Sequence, residues 1–540
     1  MLKSTSVGSP NAVHYAPMTT SPPLPPPPTV LAAEGGALSS VEEAINKAFT
    51  PISEAVSGFI FAEVTVFGVT FPWIVGWLVL AAAIFTAYFG VIQLRGFGTA
   101  LRIVRGKHSK PDDPGEISHF QALSSAVSGT VGLGNIAGVG VAVTIGGAGA
   151  TFWMIVCGLL GMCTKFVECT LGVKYRDVHA DGSVSGGPMH YLRKGLAERF
   201  PNPAGRGVGR VLAVGAAIMI LFFGIAGGNM FQANQTFAQL RSVTGGSDGF
   251  LGGDGAALVF GIVLALVVGA VIIGGIKSIG RVTGKLVPAM AILYVSACLV
   301  VILLNITTIP DAIGQIVSGA FSADSVAGGA VGALIVGFQR AAFSNEAGLG
   351  SASIAHSAVK TRRPVTEGYV ALLEPFIDTV VICTMTALTI VVAQTQFWKD
   401  AQATVAAGGP RPDGVTVTSE SFGTVLPWFP YVLTVAVVLF AVSTIITWSY
   451  YGEKAWVYLF GKSKGSETAY RVLFCAFTVV GSVLTLGSVL DFADAVLFTL
   501  ALFNIIGLYL LAPVVKRELK AFRASLAQDR AEERARTTSE

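Results

Sequence analysis

The stretch from Ser128 to Gly140, SGTVGLGNIAGVG, contains the residue types best suited to binding a small molecule. Its five glycines, together with Thr130 and Asn135, are poor choices for a continuous helix. They nevertheless lie in an apolar run long enough to cross a membrane. Backbone that breaks a membrane helix is tolerated only where it is buried in protein or lines a cavity. The stretch therefore predicts half of a substrate and ion site in a transporter.

A second stretch, Phe343 to Gly350, has the same character and reads FSNEAGLG. Its Asn345-Glu-Ala-Gly-Leu-Gly350 resembles Asn135-Ile-Ala-Gly-Val-Gly140, at an offset of 210 residues. A broken helix exposes amide N–H groups, which suit a carboxylate, and carbonyl groups, which suit a hard cation such as Na⁺. The alternative is that these glycines only allow close helix packing, and for a single glycine that reading is preferred.

Two other apolar runs carry polar side chains. Asn229 and Gln232 lie one turn apart in the first, and Gln232 can donate or accept a hydrogen bond towards a small polar ligand. Hydrogen bonding between helices is an equally good explanation. In the second run, Ser443 and Thr444 offer hydroxyl oxygens to Na⁺, and Trp448 follows one turn later. An interfacial aromatic belt is an equal alternative for Trp448, and is preferred for Tyr450 and Tyr451.

Charged residues inside the apolar runs are costly and need partners. Structural pairing and gate salt bridges are preferred over a proton relay, and Lys165 can pair with Glu168 on its own helix. None of the six histidines falls in the middle of an apolar run, which disfavours proton coupling through imidazole. The remaining charged residues considered are Arg340, Glu346, Glu374, Asp378, Asp491 and Asp494.

The composition is that of an integral membrane protein. The 540 residues are 52% hydrophobic and 13% charged, with a mean hydropathy of +0.67, whereas soluble domains are about 25% charged. Eleven runs are long enough to be spans, so we predict an all-α polytopic membrane protein with 11 transmembrane helices. Spans 1 to 11 have approximate limits of 67–94, 120–146, 149–174, 210–240, 257–276, 284–305, 327–356, 366–394, 428–449, 470–487 and 491–513.

Lys and Arg residues alternate between the two sets of loops. The loops after spans 1, 3, 5, 7 and 9 and the C-terminal tail together hold 26 of them, and the opposite set holds 5. Lys285, at the start of span 6, is counted with the loop after span 5. By the positive-inside rule, the N-terminus is outside and the C-terminus cytoplasmic. The protein is expected in a bacterial inner membrane, in contact with lipid and not with nucleic acid.

Adding 210 to the limits of spans 2 to 6 approximates spans 7 to 11. One extra N-terminal helix is therefore followed by two five-helix repeats, and because five is odd the second is inverted. This arrangement gives five predicted segments: a disordered Pro-rich tail and amphipathic segment, the extra helix and a basic loop, the first repeat, the second repeat, and a charged tail. They cover residues 1–66, 67–119, 120–325, 326–513 and 514–540.

The motifs resemble those of the alanine or glycine:cation symporters, the sodium:alanine symporter family. The matching strings are FQALSSAVSGTVGLGNIAGV, TKFVECTLGVKYRD, SGGPMHYLRKGL, GGIKSIGRVTGKLVP, FSNEAGLGSASIAHSAVKT, FIDTVVICTMTAL and TWSYYGE. They run from residue 120 to residue 453. The resemblance implies the five-plus-five inverted-repeat fold of a bacterial leucine transporter.

The resemblance also implies roles for individual residues. Thr130, Gly132, Gly134 and Asn135 would face the amino-acid carboxylate. The pocket would be lined by Gln232, Phe343, Asn345 and Trp448, which limit the substrate side chain to methyl or hydrogen. A sodium site would use the main-chain oxygens of Ser128 and Val131 with Ser443 and Thr444.

The function expected is Na⁺-coupled symport of alanine or glycine into the cell by alternating access. Na⁺ is the coupling ion, no covalent cofactor is expected, and the protein is expected to be a monomer. The alternatives are a proton-coupled carrier of small neutral amino acids on the same fold and, less favoured, an ion channel. No nucleophile–base pair, metal motif or cofactor loop indicates an enzyme.

Overall fold

The computed structural model describes residues 51, 55, 57–66, 69–106, 112–180, 182–253, 255–273, 275–322 and 329–539. The predicted disordered tail and most of the predicted amphipathic segment 41–62 lie outside these residues. The chain is mostly helical, with two small antiparallel hairpins, Glu63–Val66 with Val69–Pro72 and Asp177–Val178 with Val184–Ser185.

Helices occupy each of the eleven predicted spans. Within the described residues, six helices are long and apolar enough to cross a membrane, or eight if each of two bent helix pairs counts as one span. The multi-pass membrane class is therefore confirmed, whereas the count of eleven stays a prediction for spans 5, 7 and 10. In order along the chain, the span helices are Trp73–Tyr88 with Ile92–Val104, His119–Thr130 with Val139–Ile145, Ala150–Lys174, Pro203–Ile225 with Phe231–Val243, Ala256–Ile272, Gly275–Leu304, Gly329–Asn345 with Ala352–His356, Pro364–Ala371 with Thr384–Ala393, Phe429–Phe460, Lys464–Val483 and Leu486–Ser539.

The predicted limits of span 1 are wrong. A hairpin precedes the span, so the helix begins only at Trp73, after Pro72. Gly90 and Val91 both have positive φ, at 65° and 55°, and the axis bends by 73° between the two helices. The alternating β-branched residues before Pro72 favour a strand, and apolar content alone cannot separate this strand from the helix.

Spans 2 and 7 are both broken inside the protein. Span 2 stops after Thr130 and resumes through a π-helical turn at Gly134–Gly138, with a bend of 54°. Span 7 stops at Asn345 and resumes at Ala352. In the second break Glu346, Gly348 and Gly350 have φ of 56°, 102° and 78°, so this backbone leaves the helical region altogether.

Four helices outside the spans are absent from the sequence prediction. Their apolar stretches are too short to cross a membrane, so the search for spans passes over them. They are Pro188–Arg199, Ile309–Phe321, Gln396–Ala406 and Gly414–Gly423.

Arg176 joins the ends of three spans on the side predicted to be cytoplasmic. Its guanidinium donates to four backbone carbonyls at 2.6–2.7 Å. One acceptor, Pro114, precedes span 2, and the other three follow span 7. Only a planar guanidinium can satisfy so many acceptors at once, which makes Arg176 the organising side chain of this surface. The three acceptors after span 7 are Ser357, Val359 and Thr361.

His190, on the helix Pro188–Arg199, predicts a pH dependence of stability. Burial lowers the pKa of His190 from 6.5 to about 4, although Asp177 lies 3.2 Å from its Nδ1 and acts in the opposite sense. The folded protein binds this proton more weakly than the unfolded chain does. The free energy of unfolding is therefore at its full value above pH 6.5. It decreases as the pH falls from 6.5 towards 4, by at most about 1.4 kcal/mol per pH unit.

We expect the thermal unfolding midpoint in detergent to fall between pH 6.5 and 4 more steeply in the wild type than in His190→Gln. The control is His179→Gln, because His179 is an exposed histidine of the same loop. Its slope should match that of the wild type. Equal slopes for the wild type and His190→Gln would contradict the prediction.

Candidate substrate and sodium site

The break in span 2 leaves two amide groups that side-chain oxygens occupy. Gly132 N donates to Asn135 Oδ1 at 2.9 Å, and Leu133 N donates to Gln232 Oε1 at 2.9 Å. Both acceptors are carbonyl oxygens of side-chain amides, and adjacent backbone N–H groups are donors of the type that anions favour. We call this pair of amide donors the anion-binding turn, after that preference; in this conformation the protein's own side chains fill both positions.

The residues predicted for sodium lie together one turn earlier. Thr444 Oγ1 donates to the carbonyl oxygens of Ser128 and Val131, at 3.0 and 3.5 Å. Ser443 is turned differently, since its hydroxyl donates to Phe440 O at 2.9 Å while its own carbonyl accepts from Ser128 Oγ at 3.0 Å. Three buried oxygens, Thr444 Oγ1 and the carbonyl oxygens of Ser128 and Val131, thus lie together between spans 2 and 9. Such oxygens are the ligand type that a hard cation prefers.

Asn135 connects the break to span 8. Its Nδ2 donates to Asp378 Oδ1 at 2.7 Å, and the other carboxylate oxygen accepts from Ser344 Oγ at 2.9 Å and from Thr379 Oγ1 at 2.7 Å. Asp378 is fully buried. This carboxylate fixes Asn135 in the orientation in which its Oδ1 faces Gly132, so Asp378 belongs to the site although the sequence gives it no such role.

The other predicted residues are distributed around the same point. Phe343 lies against Gly134, where an added Cβ would be 3.5 Å from its ring. The Thr130 hydroxyl faces carbonyls of its own helix at 3.4 Å. Asn345 donates to Thr379 Oγ1 and accepts from Ala347 N, both at 3.0 Å, so its side chain closes the second break.

Trp448 is fully buried and packs against span 4. An added Cβ on Gly228 would come within 2.2 Å of the Trp448 ring. The indole Nε1 lies 3.3 Å from Gly129 O and donates to Glu346 Oε1 at 3.1 Å. Tyr450 and Tyr451 are also buried, at 6% and 1% exposure, so their assignment to an aromatic belt is wrong: this part of span 9 lies inside the bundle.

The buried charges pair between spans and not within them. Lys165 binds Glu374 at 3.0 Å, so the predicted pairing with Glu168 is wrong. Although Lys165 and Glu168 are three residues apart, Glu168 faces the second break, where it accepts from Gly350 N at 2.9 Å. Further buried or partly exposed pairs are Arg340 with Asp494, His119 with Glu367, His356 with Glu367 and Arg411 with Asp491.

Sequence reasoning missed the contact of Asp378 with Asn135 and the contact of Gln232 with Leu133 for the same reason. Asp378 lies 243 residues from Asn135, and Gln232 lies 99 residues from Leu133. The available signal was chemical: Asp378 and Glu346 are acids inside apolar spans, and such residues mark functional sites by default.

Long apolar helices with two buried breaks define a multi-pass membrane transporter. Several characterised or named transporters are similar to this chain. The sodium/alanine symporter AgcS of Methanococcus maripaludis is 40% identical, over 82% of this chain and 93% of that protein. Two proteins of Bacillus subtilis are also similar: the amino-acid carrier protein AlsT, 35% identical over 81% and 86% of the two chains, and the probable sodium/glutamine symporter GlnT, 34% identical over 81% and 85%.

The profile of the sodium:alanine symporter family matches residues 54–536, and the chain belongs to that family. It is a sodium-coupled amino-acid symporter and not an enzyme. Among solved structures, MhsT in complex with L-phenylalanine is similar over 74% of this chain and 89% of that chain, with a TM-score of 0.49 and 16% identity. That similarity is too low to define the fold of this chain.

Proposed function

We propose that the protein transports alanine and glycine into the cell together with Na⁺, by alternating access. The observation that carries the proposal is the pair of amide groups at the first break, Gly132 N and Leu133 N, each bound by a side-chain oxygen. A substrate carboxylate would displace Asn135 Oδ1 and Gln232 Oε1 and keep both hydrogen bonds. The two amides make nearly the same hydrogen bonds before and after this exchange, which suits a site that must bind and release its substrate in every cycle.

The sodium ion would bind between spans 2 and 9. In the present conformation the Thr444 hydroxyl donates to the carbonyls of Ser128 and Val131. A cation bound there would take both carbonyls as ligands, with the lone pairs of Thr444 and, after a rotation, of Ser443. Because span 2 also carries the anion-binding turn, filling the sodium site orders the helix on which the carboxylate depends, and this links the two ligands.

The preference for a small side chain follows from the aromatic residues at the pocket. The Phe343 ring packs on the Phe223 and Phe231 rings at 5.8 and 5.2 Å, and Trp448 packs on Phe223 at 4.8 Å. Phe343 and Trp448 are both buried. This packing supports methyl or hydrogen as the substrate side chain. The family name alone does not decide it, because one similar protein is named for glutamine.

The orientation and the helix layout complete the proposal. The N-terminus would be outside a bacterial inner membrane and the C-terminus cytoplasmic, with one extra helix before two inverted repeats, in a monomer. Polar contacts join spans 2, 3, 7 and 8 to one another, through Asn135, Lys165, Ser344 and Asp378. These four spans would rock as a unit against the others to open the site inwards.

Coupling to a proton in addition to Na⁺ is the second candidate, and the buried histidines favour it. Glu367 lies between His119 and His356, with His356 Nδ1 2.6 Å from Glu367 Oε1. All three side chains are at most 2% exposed. A buried His–Glu–His arrangement can hold a proton, although it also serves as a structural tie between spans 2, 7 and 8.

Uptake of labelled alanine and glycine by proteoliposomes decides between the two. We expect uptake with Na⁺ outside and little uptake when choline replaces it. Thr444→Ala should raise the half-saturating Na⁺ concentration about tenfold or more, because one ligand is lost. Thr447→Ala is the matched control, since Thr447 binds only the Ser128 hydroxyl, at 3.0 Å. Na⁺-dependent uptake that also follows an imposed pH gradient would favour coupling to a proton as well.

A further inference from the structure

Glu346 is a buried acid without an ion-pair partner among the residues that the structure describes. It is 3% exposed, and no Lys, Arg or His nitrogen of the described ranges lies within 4.0 Å of its carboxylate. Lys165, the nearby cation, is paired with Glu374 at 3.0 Å. An ionised carboxylate is costly to bury unless it is paired, so a ligand that brings positive charge would be stabilised beside it.

The backbone holds Glu346 in place at a conformational cost. Its φ of 56° is one of only three positive values among the non-glycine residues that the structure describes. A left-handed residue of this type persists where the surroundings require it, and such residues concentrate at ligand sites. Both carboxylate oxygens are oriented by hydrogen bonds, Oε1 from Trp448 Nε1 at 3.1 Å and Oε2 from Ser351 Oγ at 2.6 Å.

The position of Glu346 complements the anion-binding turn. Trp448 Nε1 lies between Glu346 Oε1 and Gly129 O, and Gly129 immediately precedes the end of the helix that breaks before Gly132. Amide donors and a carboxylate therefore occupy neighbouring positions on the two broken spans. An α-amino acid zwitterion presents the matching pair of charges, a carboxylate and an ammonium group bound to the same carbon atom.

From this arrangement we propose that Glu346 binds the ammonium group of the substrate and thereby selects amino acids over hydroxy acids of the same shape. The inference rests on the proposed function and adds a residue that recognises the second charged end of the substrate. The ammonium group donates to Glu346 Oε1 alongside Trp448 Nε1, and the carboxylate occupies the amides of Gly132 and Leu133.

The test compares Glu346→Gln with the wild type in proteoliposomes. Glutamine keeps the size of the side chain and an acceptor oxygen for Trp448 Nε1, and its amide nitrogen can donate to Ser351 Oγ, but it removes the charge. We expect KM for L-alanine to rise about tenfold to a hundredfold, the factor produced by losing a hydrogen bond between charged groups. The half-saturating Na⁺ concentration should stay within about twofold, which separates loss of the ammonium contact from general damage to the site.

L-lactate is the matched ligand, because a hydroxyl replaces the ammonium group. L-Lactate should inhibit alanine uptake by the wild type much more weakly than unlabelled alanine does. Its inhibition should be no weaker in Glu346→Gln than in the wild type. The control variant is Glu116→Gln, at a partly buried acid outside the site that accepts from Val184 N at 2.8 Å and should leave KM for alanine nearly unchanged.

An alanine KM in Glu346→Gln within threefold of the wild-type value would overturn the proposal, as would equal inhibition of the wild type by lactate and alanine. If Glu346→Gln does not fold, Glu346→Asp keeps the charge but withdraws it by one methylene. Glu346→Asp should raise the alanine KM without weakening the inhibition by lactate. An unchanged alanine KM in this variant would also overturn the proposal. Alanine uptake that ignores Na⁺ would refute the proposed coupling and leave these KM comparisons valid.

Discussion

Gly132→Ala should reduce Na⁺-driven alanine uptake at least a hundredfold. A Cβ on Gly132 would lie 2.5 Å from Thr444 Oγ1 and 2.9 Å from Gln232 Oε1. Gln232 can rotate away, but it then abandons the amide of Leu133. Thr444 is buried and branched at Cβ, and its hydroxyl is bound to Ser128 O, so it has little room to move. One methyl group therefore disturbs both the proposed sodium ligands and the amide donors proposed to bind the carboxylate.

The matched control is Gly138→Ala, in the same stretch of span 2. Gly138 is also buried, but an added Cβ there meets no atom within 4 Å. Its uptake should remain within about threefold of the wild-type value. Equal activity of the two variants in proteoliposomes of matched protein content would show that the approach of Thr444 to Gly132 is unimportant for transport.

Lys165→Met should destabilise the folded protein by about 3–5 kcal/mol. Lys165 and Glu374 are both 0% exposed and lie 3.0 Å apart. Removing the lysine leaves a buried carboxylate whose remaining basic neighbour among the described residues is His356, with Nε2 at 3.7 Å. An uncompensated buried charge is more costly than the loss of the pair itself. Thermal unfolding in detergent, followed by loss of the monodisperse peak in size-exclusion chromatography, measures the effect.

A second variant identifies the cause. Replacing both partners, in Lys165→Met with Glu374→Leu, should recover a large part of the lost stability, because two apolar side chains can pack where the ions stood. Arg411→Gln is the surface control: Arg411 and Asp491 are each 47% exposed, and the loss there should not exceed about 1 kcal/mol. A Lys165→Met protein that unfolds at the wild-type temperature would contradict the argument.

The sequence identifies where the membrane helices lie and where two of them break, because both features depend on local composition. A long apolar run has few alternatives to a membrane helix, and Gly132, Gly134 and Asn135 within it are local signals of a break. The predicted start of span 1 is wrong for the same reason. The β-branched residues before Pro72 are apolar enough to be counted as part of a span, but they form a strand.

The pairing of side chains across the bundle could not be predicted. Lys165 and Glu168 satisfy the rule for neighbours on one helix, yet each faces a different span, and only packing decides which carboxylate the lysine meets. Asp378 orients Asn135 from 243 residues away. The roles assigned to individual residues of the site therefore remain predictions, although the structure brings Ser128, Val131 and Thr444 within hydrogen-bonding distance.

The four carbonyls held by Arg176 also constrain how the chain is made. Pro114 is already synthesised when Arg176 leaves the ribosome, but Thr361 follows 185 residues later. At 5–20 residues per second, translation of that interval takes on the order of 10–40 s. During most of that interval only one of the four acceptors of the guanidinium has been synthesised, so this end of the first half of the chain is incomplete. Membrane insertion of the early helices must therefore precede their final tertiary assembly, which waits for span 7.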